Sequence, residues 1–250
     1  MAAPGKIDAL SQFELHPMLG PLGHFGFSQS TLMMTVAAVL TLALLVLGMR
    51  PRAMVPGRLQ AAAEMIYEFT YNMCVETIGP EGRRFFPFVF TLFLFILIGN
   101  LLGVCPYFFT FTSHIAVTLA LTLAVVIMTT LVGLFIHKLH FFSYFVPQGV
   151  PKLLLPLLVP IEVLSYLSRI ISLSVRLFAN MMAGHVMLEV FGAFVIMLGG
   201  AGLLGLLPAG LALGVNTILI GFELLVAVLQ AYVFAILTCI YLNDAIHPGH

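Results

Sequence analysis

The chain has 250 residues, of which 61% are hydrophobic and 8% are charged, and its formal net charge is zero. A typical soluble domain is about 25% charged, so this composition excludes an ordinary soluble enzyme or binding module and indicates an integral membrane protein. The apolar residues stand in long runs, which favour membrane-crossing helices over the short alternating strands of a β-barrel. The charge balance gives no basic surface for nucleic acid.

The N-terminal third contains one predicted span and one amphipathic segment. Residues 1–30 are mixed and rich in Gly, Pro and His, and we interpret them as an external tail. Residues 31–49 are an apolar run long enough for one crossing. Residues 57–78 place Glu64, Glu68 and Glu76 among apolar side chains. That pattern predicts a helix lying at the membrane surface.

The rest of the chain contains two short spans and two long apolar stretches. Residues 85–136 predict a helical hairpin with a short loop at 105–114, and residues 153–199 and 211–242 follow. From Leu157 the first long stretch would form a helix about 63 Å long, against a hydrocarbon core of about 30 Å. Residues 161–198 contain no Pro and no Gly-Gly pair. We therefore predict an unbroken, strongly tilted helix with the last helix folded back along it.

These segments define the predicted fold class and orientation. We expect an all-α membrane protein, a single membrane domain over residues 1–250, with about five embedded helices, an interfacial helix and a final antiparallel hairpin. Alternating crossings place seven cations on one side, which the positive-inside rule assigns to the cytoplasm. They are Arg50, Arg52, Arg58, Arg83, Arg84, Lys138 and Lys152. The polar N-terminal tail, without a transit-like leader, favours a bacterial inner membrane, with the N-terminus periplasmic and the C-terminus cytoplasmic. A chain encoded within an organelle would also lack such a leader and is the alternative.

A polar stripe follows one face of the first long helix. Its members are separated by three or four residues and fall within an arc of about 80°: Glu162, Ser165, Arg169, Ser172, Arg176 and Asn180. Hydrogen bonds between helices are an alternative explanation for the serines, and Glu162 and Arg169 could extend to the membrane surface. Arg176 is different, because arginine stays charged and costs about 2.5–3.5 kcal/mol within a bilayer. We infer that the chain requires this charge.

Polar residues also share a face of the last helix, where Asn216, Glu223 and Gln230 recur every seven residues. Folding the chain back at residues 200–210 places His185 and Glu223 at similar depth, and Gln230 near the level of Arg176. A His and a Glu at one depth can exchange protons near neutral pH. The alternative for His185 is a hydrogen-bonded histidine of the helix packing.

Several other functions find little support. The sequence has no nucleophile elbow, no phosphate-binding loop and no zinc-protease motif, so we expect no catalytic activity by the chain alone and no cofactor. His137 and His140 are weak evidence for a metal. The cysteines Cys74, Cys105 and Cys239 show no metal-binding spacing.

Residues 172–185 read Ser-Leu-Ser-Val-Arg-Leu-Phe-Ala-Asn-Met-Met-Ala-Gly-His. This stretch resembles the signature of the a subunit of F-type ATP synthases, which has an Arg-Leu-Phe-small-Asn-Met-x-Ala-Gly core. Leu-Gln-Ala-Tyr-Val-Phe at 229–234 is similar to the family's last-helix signature, and Gly-Asn-Leu-Leu-Gly at 99–103 to an earlier segment. The resemblance covers nearly the whole chain.

The resemblance implies a stator subunit with two offset half-channels for protons beside a rotating ring of c subunits. Arg176 would correspond to the essential arginine between the half-channels. By family position, the external half-channel would contain Asn180, His185, Glu223 and Gln230, and the cytoplasmic one Glu162 and Ser172. Further implied partners are the b-type subunits of the peripheral stalk and the rest of the ATP synthase. Some family members exchange the His and the acid, so which member of the pair carries the proton stays open.

Three other functions remain as alternatives at this stage. A secondary transporter usually shows inverted repeats with broken helices, and this sequence shows neither. A proton channel acting without a rotor would not co-purify with a ring. A sodium-driven version of the same machine would differ mainly in the ring, which is another chain.

Overall fold

The structure is a computed structural model, and it describes residues 28–49, 57–105, 110–138, 154–200, 202 and 205–247. Across these ranges the chain forms six α-helices: α1 Gln29–Met49, α2 Arg58–Ile78, α3 Gly82–Val104, α4 Ile115–His137, α5 Leu155–Gly199 and α6 Leu206–Ile246. Five of them, all except α2, are long and apolar enough to cross a membrane. The predicted all-α membrane class is confirmed.

The two final helices are far longer than the membrane core requires. α5 has 45 residues and α6 has 41, and neither is interrupted. The prediction of an unbroken α5 is confirmed, although Pro160 lies inside the helix near its start. Pro160 is the sixth residue of α5, so its missing N–H removes the hydrogen bond to the Pro156 carbonyl oxygen, yet the helix continues on both sides of it. The tilt of α5 and the interfacial placement of α2 stay predictions.

The bounds of α6 differ from the predicted stretch 211–242. The helix begins at Leu206, so Pro208 lies in its first turn, where proline is tolerated because its missing N–H would have no partner. At the other end the helix continues through Asn243 and Asp244 to Ile246. Hydropathy alone stops at the last apolar residue, whereas the helix continues as long as its polar side chains find partners.

The turn from α2 into α3 depends on two glycines. Gly79 ends α2 with a φ of 86°, a conformation that residues with a Cβ rarely adopt. Gly82 begins α3, and a Cβ there would lie 2.7 Å from the Cys74 carbonyl oxygen. α3 therefore starts three residues before the predicted span at Phe85, with Arg83 in its first turn.

The chain divides into two compact units, each built from parts of several helices. Unit 1 contains the start of α1, Ile96–His114 and Leu177–Ala231. Unit 2 contains Thr41–Phe95, Ile115–Arg176 and Tyr232–His250. The prediction of a single domain over 1–250 stays a prediction.

Unit 2 joins its helices through aromatic and sulfur contacts. Tyr67 of α2 packs edge-on against Phe86 of α3, with ring centroids 4.7 Å apart. The buried Cys74 of α2 and Cys239 of α6 have sulfur atoms 3.5 Å apart. These contacts place one side of the amphipathic α2 against its neighbours.

Unit 1 contains buried polar and aromatic contacts between its segments. Asn100 of α3 is completely buried and donates a hydrogen bond to the Ala227 carbonyl oxygen of α6, at 3.3 Å. The short 3-10 helix Phe111–Ser113 carries the buried Phe111 against Gly99 of α3, where any Cβ would overlap its ring. These contacts fix the segment after α3 against the helices that carry the candidate site.

Candidate functional site

His185 of α5 and Glu223 of α6 form a buried pair within unit 1. The His185 Nε2 and Glu223 Oε1 atoms are 3.6 Å apart, and the side chains are 14% and 4% exposed. The predicted proximity of these two residues is therefore confirmed. The two helices run antiparallel here, because the earlier Asn180 of α5 pairs with the later Gln230 of α6.

Gly184 makes room for the Glu223 carboxyl group. A Cβ at Gly184 would lie 3.0 Å from Glu223 Oε1, which is closer than ordinary van der Waals contact. Neither carboxyl oxygen of Glu223 has a hydrogen-bond partner among the residues that the structure describes. Since a buried polar group without a partner is costly, this carboxyl is suited to meet water or a proton donor from outside the chain.

Thr110 is a third member of this cluster, and the sequence reading missed it. Its Oγ1 lies 2.6 Å from His185 Nε2, closer than the Glu223 carboxyl. Thr110 belongs to the connection after α3, which hydropathy reads only as a short loop. No periodicity relates a loop residue to a helix seventy-five positions later, so no sequence signal could have found it. In the same connection, burial lowers the pKa of His114, which favours a neutral imidazole.

A second polar pair lies further along the same two helices. Asn180 Nδ2 donates to Gln230 Oε1 at 2.8 Å, and Gln230 is buried. The Gln230 Nε2 group has no hydrogen-bond partner in the described part of the chain. Gln230 was predicted near the level of Arg176, and the residue that it contacts is Asn180, one turn further along α5.

A cavity of about 230 Å³ is lined by one member of each pair, Glu223 and Asn180. It lies between α5 and α6 within unit 1 and has room for several water molecules. Its lining is mostly apolar, with two polar members, and consists of Asn180, Ala183, Gly184, Met187, Leu219, Phe222, Glu223 and Val226. The cavity could therefore hold water between the Glu223 carboxyl and the Asn180 amide.

Arg176 lies in unit 2 and is exposed on the surface of this chain. Ser172, one turn earlier on α5, is also exposed, and Glu162 is half-buried. Over its membrane-crossing window, α5 has only 6% of its residues buried by the rest of the chain, against 50% for α3. The part of α5 around Ser172 and Arg176 is thus left uncovered by this chain.

Arg169 belongs to an ion pair that the sequence reading did not identify. Its Nη1 lies 3.0 Å from Asp244 Oδ2, and its guanidinium lies 5.0 Å from the centre of the Tyr241 ring. Arg169 thus has a specific partner on α6, while its extension to the membrane surface stays a prediction. Asp244 was overlooked because it lies beyond the last predicted apolar residue.

Within the described residues there is no cluster of three or more metal-binding side chains. His137 Nε2 instead lies 3.0 Å from the Ile246 carbonyl oxygen. His140, its suggested companion, lies outside the described residues.

The fold and site define a class: an α-helical membrane protein whose two long helices carry a buried His–Glu pair and an arginine exposed on the surface. Comparison with known proteins specifies the family. Residues 31–243 match the family described as ATP synthase A chain. The chain belongs to this family.

Close relatives match over nearly their full lengths. ATP synthase subunit a of Gluconacetobacter diazotrophicus is 63% identical over 98% of this chain and 99% of the relative. The proteins of the same name from Granulibacter bethesdensis and Acidiphilium cryptum are 59% and 58% identical, each over 99% of both chains. The resemblance inferred from the sequence motifs is confirmed.

Proposed function

We propose that this chain is the proton-translocating stator subunit of an F-type ATP synthase. In this proposal two offset aqueous half-channels lead protons to the carboxylates of a rotating c-ring, and Arg176 separates them. Proton flow then turns the ring and drives ATP synthesis elsewhere in the complex, while this chain itself catalyses no reaction and needs no cofactor. Membership of the ATP synthase A chain family supports the proposal.

The observation that carries the proposal is the exposure of Arg176 on a long apolar helix. A guanidinium cannot lose its proton, and leaving it against lipid would cost several kcal/mol. A protein partner with a carboxylate at the same depth would offset that cost. Because the rest of the chain covers little of α5, such a partner could pack against this helix. A ring of c subunits with one mid-membrane carboxylate each fits both requirements.

The role of Arg176 follows from its fixed charge. A neighbouring cation lowers the pKa of a carboxyl group by about 1–3 units, so a ring carboxyl that reaches Arg176 releases its proton. The same charge repels a proton that would pass directly from one half-channel to the other. A proton that moves down the membrane potential releases about 2.3 kcal/mol of free energy per 100 mV. The offset of the half-channels converts that free energy into movement of the ring.

We assign the external half-channel to Asn180, His185, Glu223 and Gln230. The 3.6 Å contact of His185 with Glu223, the 2.8 Å contact of Asn180 with Gln230 and the cavity beside them support this assignment. A proton would enter at the His–Glu pair and move through water towards the Asn–Gln pair. Either member of the His–Glu pair can be the carrier.

We assign the cytoplasmic half-channel to Glu162 and Ser172. Both lie on α5 in unit 2, on the same helical stripe as Arg176. The expected setting is a bacterial inner membrane with the N-terminus periplasmic and the C-terminus cytoplasmic, where peripheral-stalk b-type subunits hold this chain still. A ring that binds Na⁺ instead of H⁺ would change the transported ion without changing this design.

The test is ATP synthesis by the whole complex carrying Arg176→Ala or Arg176→Lys in sealed membrane vesicles. We expect Arg176→Ala to abolish coupled synthesis, and Arg176→Lys to lose most of it, because a lysine ammonium is a flexible point charge that can deprotonate when buried. Arg58→Ala is the matched control, since Arg58 is an exposed arginine outside the spans. Synthesis near the wild-type rate in Arg176→Ala would refute the assignment.

A further inference from the structure

The segment Thr110–His114 between α3 and α4 is built to hold one side chain against the His–Glu pair. Ser113 donates from its Oγ to the Thr110 carbonyl oxygen at 2.5 Å, and its N–H bonds the same oxygen at 3.2 Å. Phe111 anchors the segment by packing on Gly99. Residues held at both ends in this way keep a fixed geometry, as a positioned functional group requires.

Gly103 of α3 allows Thr110 to approach. A Cβ at Gly103 would lie 2.6 Å from Thr110 Oγ1, so only glycine leaves this side chain in place. The Gly103 carbonyl oxygen lies 3.4 Å from the same Oγ1 and can accept the hydroxyl proton. The hydroxyl oxygen is then free to accept a hydrogen bond from His185 Nε2, which lies 2.6 Å away. This network assigns a proton to Nε2.

We infer that Thr110 is a positioning residue of the proton inlet, which holds the imidazole of His185 with its Nε2–H directed between the Thr110 hydroxyl and the Glu223 carboxyl. This inference rests on the proposed function, because it presumes that the His–Glu pair receives protons from outside. The titratable group facing His185 from α6 is Glu223, and Glu189 lies one turn further along α5.

The hydroxyl should favour the protonated imidazole. An oxygen that accepts from Nε2–H interacts more strongly with a positively charged ring than with a neutral one. Without the Thr110 hydroxyl, protonation of the His185 imidazole needs a higher external proton concentration. The loss of one such hydrogen bond corresponds to a shift of about 0.5–1 pH unit.

The experiment uses the whole ATP synthase in liposomes with its catalytic sector outward, so that the lumen represents the external side. Initial ATP synthesis is measured against lumenal pH at a fixed outer pH and a fixed potential. Thr110→Val removes the hydroxyl with little change of shape, and we expect the midpoint to move to lower pH by about 0.5–1 unit. Thr110→Ser restores the hydroxyl and should keep the wild-type midpoint.

Thr112→Val is the matched control, because Thr112 is equally buried in the same segment and its Oγ1 has no hydrogen-bond partner among the described residues. Its profile should coincide with that of the wild type. Gly103→Ala keeps Thr110 but displaces it, and we expect the same direction of shift as in Thr110→Val. If the Thr110→Val complex does not assemble, Gly103→Ala tests the role of Thr110 instead.

A Thr110→Val or Gly103→Ala profile that keeps the wild-type midpoint, at any rate of synthesis, would overturn the inference. The variant Arg176→Ala in the same liposomes separates this failure from failure of the proposed function. If Arg176→Ala loses synthesis while the Thr110→Val midpoint is unchanged, the stator role stands and the role of Thr110 does not. If Arg176→Ala synthesises ATP normally, the stator role itself is wrong.

Discussion

At the scale of single residues, the site combines groups with opposite requirements. Arg176 carries a charge that it cannot lose, and it is left exposed by its own chain. Glu223 carries a charge that it can lose, and it is buried beside His185. A fixed charge can direct protons and a titratable pair can transfer them, so the proposed function gives the two kinds of group different steps.

The His–Glu pair gives the first prediction at this scale. Glu223→Gln keeps the shape of the side chain but cannot ionise, and His185→Ala removes the imidazole. We expect each to lower proton uptake into vesicles about 10²-fold, the lower range for a positioned proton-transfer group. The measurement is the quenching of a pH-sensitive dye during ATP-driven pumping by the whole complex.

Asn216→Ala is a suitable control for that prediction. Asn216 lies seven residues before Glu223 on the same helix and is half-buried, but the proposed path does not use it. Its pumping should stay close to that of the wild type. Unchanged flux in both Glu223→Gln and His185→Ala would remove the pair from the inlet.

At the residue scale, the members of the pair could be predicted from the sequence, but their full surroundings could not. Arg176, His185 and Glu223 were found because each is polar inside an apolar run, and depth along a hairpin relates the last two. Thr110 and Asp244 were missed because their partners lie in distant parts of the chain, and neither side chain interrupts a periodic pattern. Contacts of this kind depend on tertiary packing.

At the scale of helices, length and continuity could be predicted, whereas ends could not. The absence of Pro and Gly-Gly pairs from residues 161–198 was enough to predict that α5 is unbroken over that stretch. The start of α3 and both ends of α6 differ from the predicted bounds by three to five residues. A helix tolerates a proline such as Pro208 in its first turn. It also extends over polar residues such as Asp244 when these have partners. Hydropathy measures neither the tolerance of proline in a first turn nor the ion pair of Asp244, so it could not place the ends of α6.

The packing of α2 on α6 gives a prediction at this scale. The sulfur atoms of Cys74 and Cys239 are 3.5 Å apart, so modest rotation should allow them to form a disulfide. We expect a small, membrane-permeant oxidant such as diamide to link them within one chain. The measurement is mass spectrometry after denaturation and alkylation, in which the two linked thiols stay unmodified.

Cys105 provides an internal control, because it is exposed and distant in sequence from the pair. It should be alkylated in both oxidised and untreated samples. The variant Cys239→Ser should abolish the link while leaving Cys105 reactive. If full alkylation of Cys74 and Cys239 persists after oxidation, α2 does not pack on α6 as described.

At the scale of the whole molecule, the main feature is the exposed part of α5 around Ser172 and Arg176. α5 leaves Ser172 and Arg176 exposed, although other polar residues of the same helix contact α6. Family membership and the long helices could be recognised from the sequence, since the motifs around Arg176 and Gln230 are intact. The exposure of Ser172 and Arg176 could not be recognised from the sequence, because burial depends on which neighbours the helix packs against. Under the proposed function, this chain is one subunit of a larger complex, and other subunits cover the exposed part of α5.

The most direct test of Arg176 as a separator is proton leakage through the assembled complex when it cannot turn. Vesicles that contain the complete synthase, without ADP or ATP, are given a pH gradient, and its decay is followed with a pH-sensitive dye. The wild type should hold the gradient, because under the proposed function Arg176 blocks direct passage between the half-channels. Arg176→Ala should let it collapse much faster while making no ATP when ADP is added. A gradient that decays at the wild-type rate in Arg176→Ala, with ATP synthesis intact, would contradict the account.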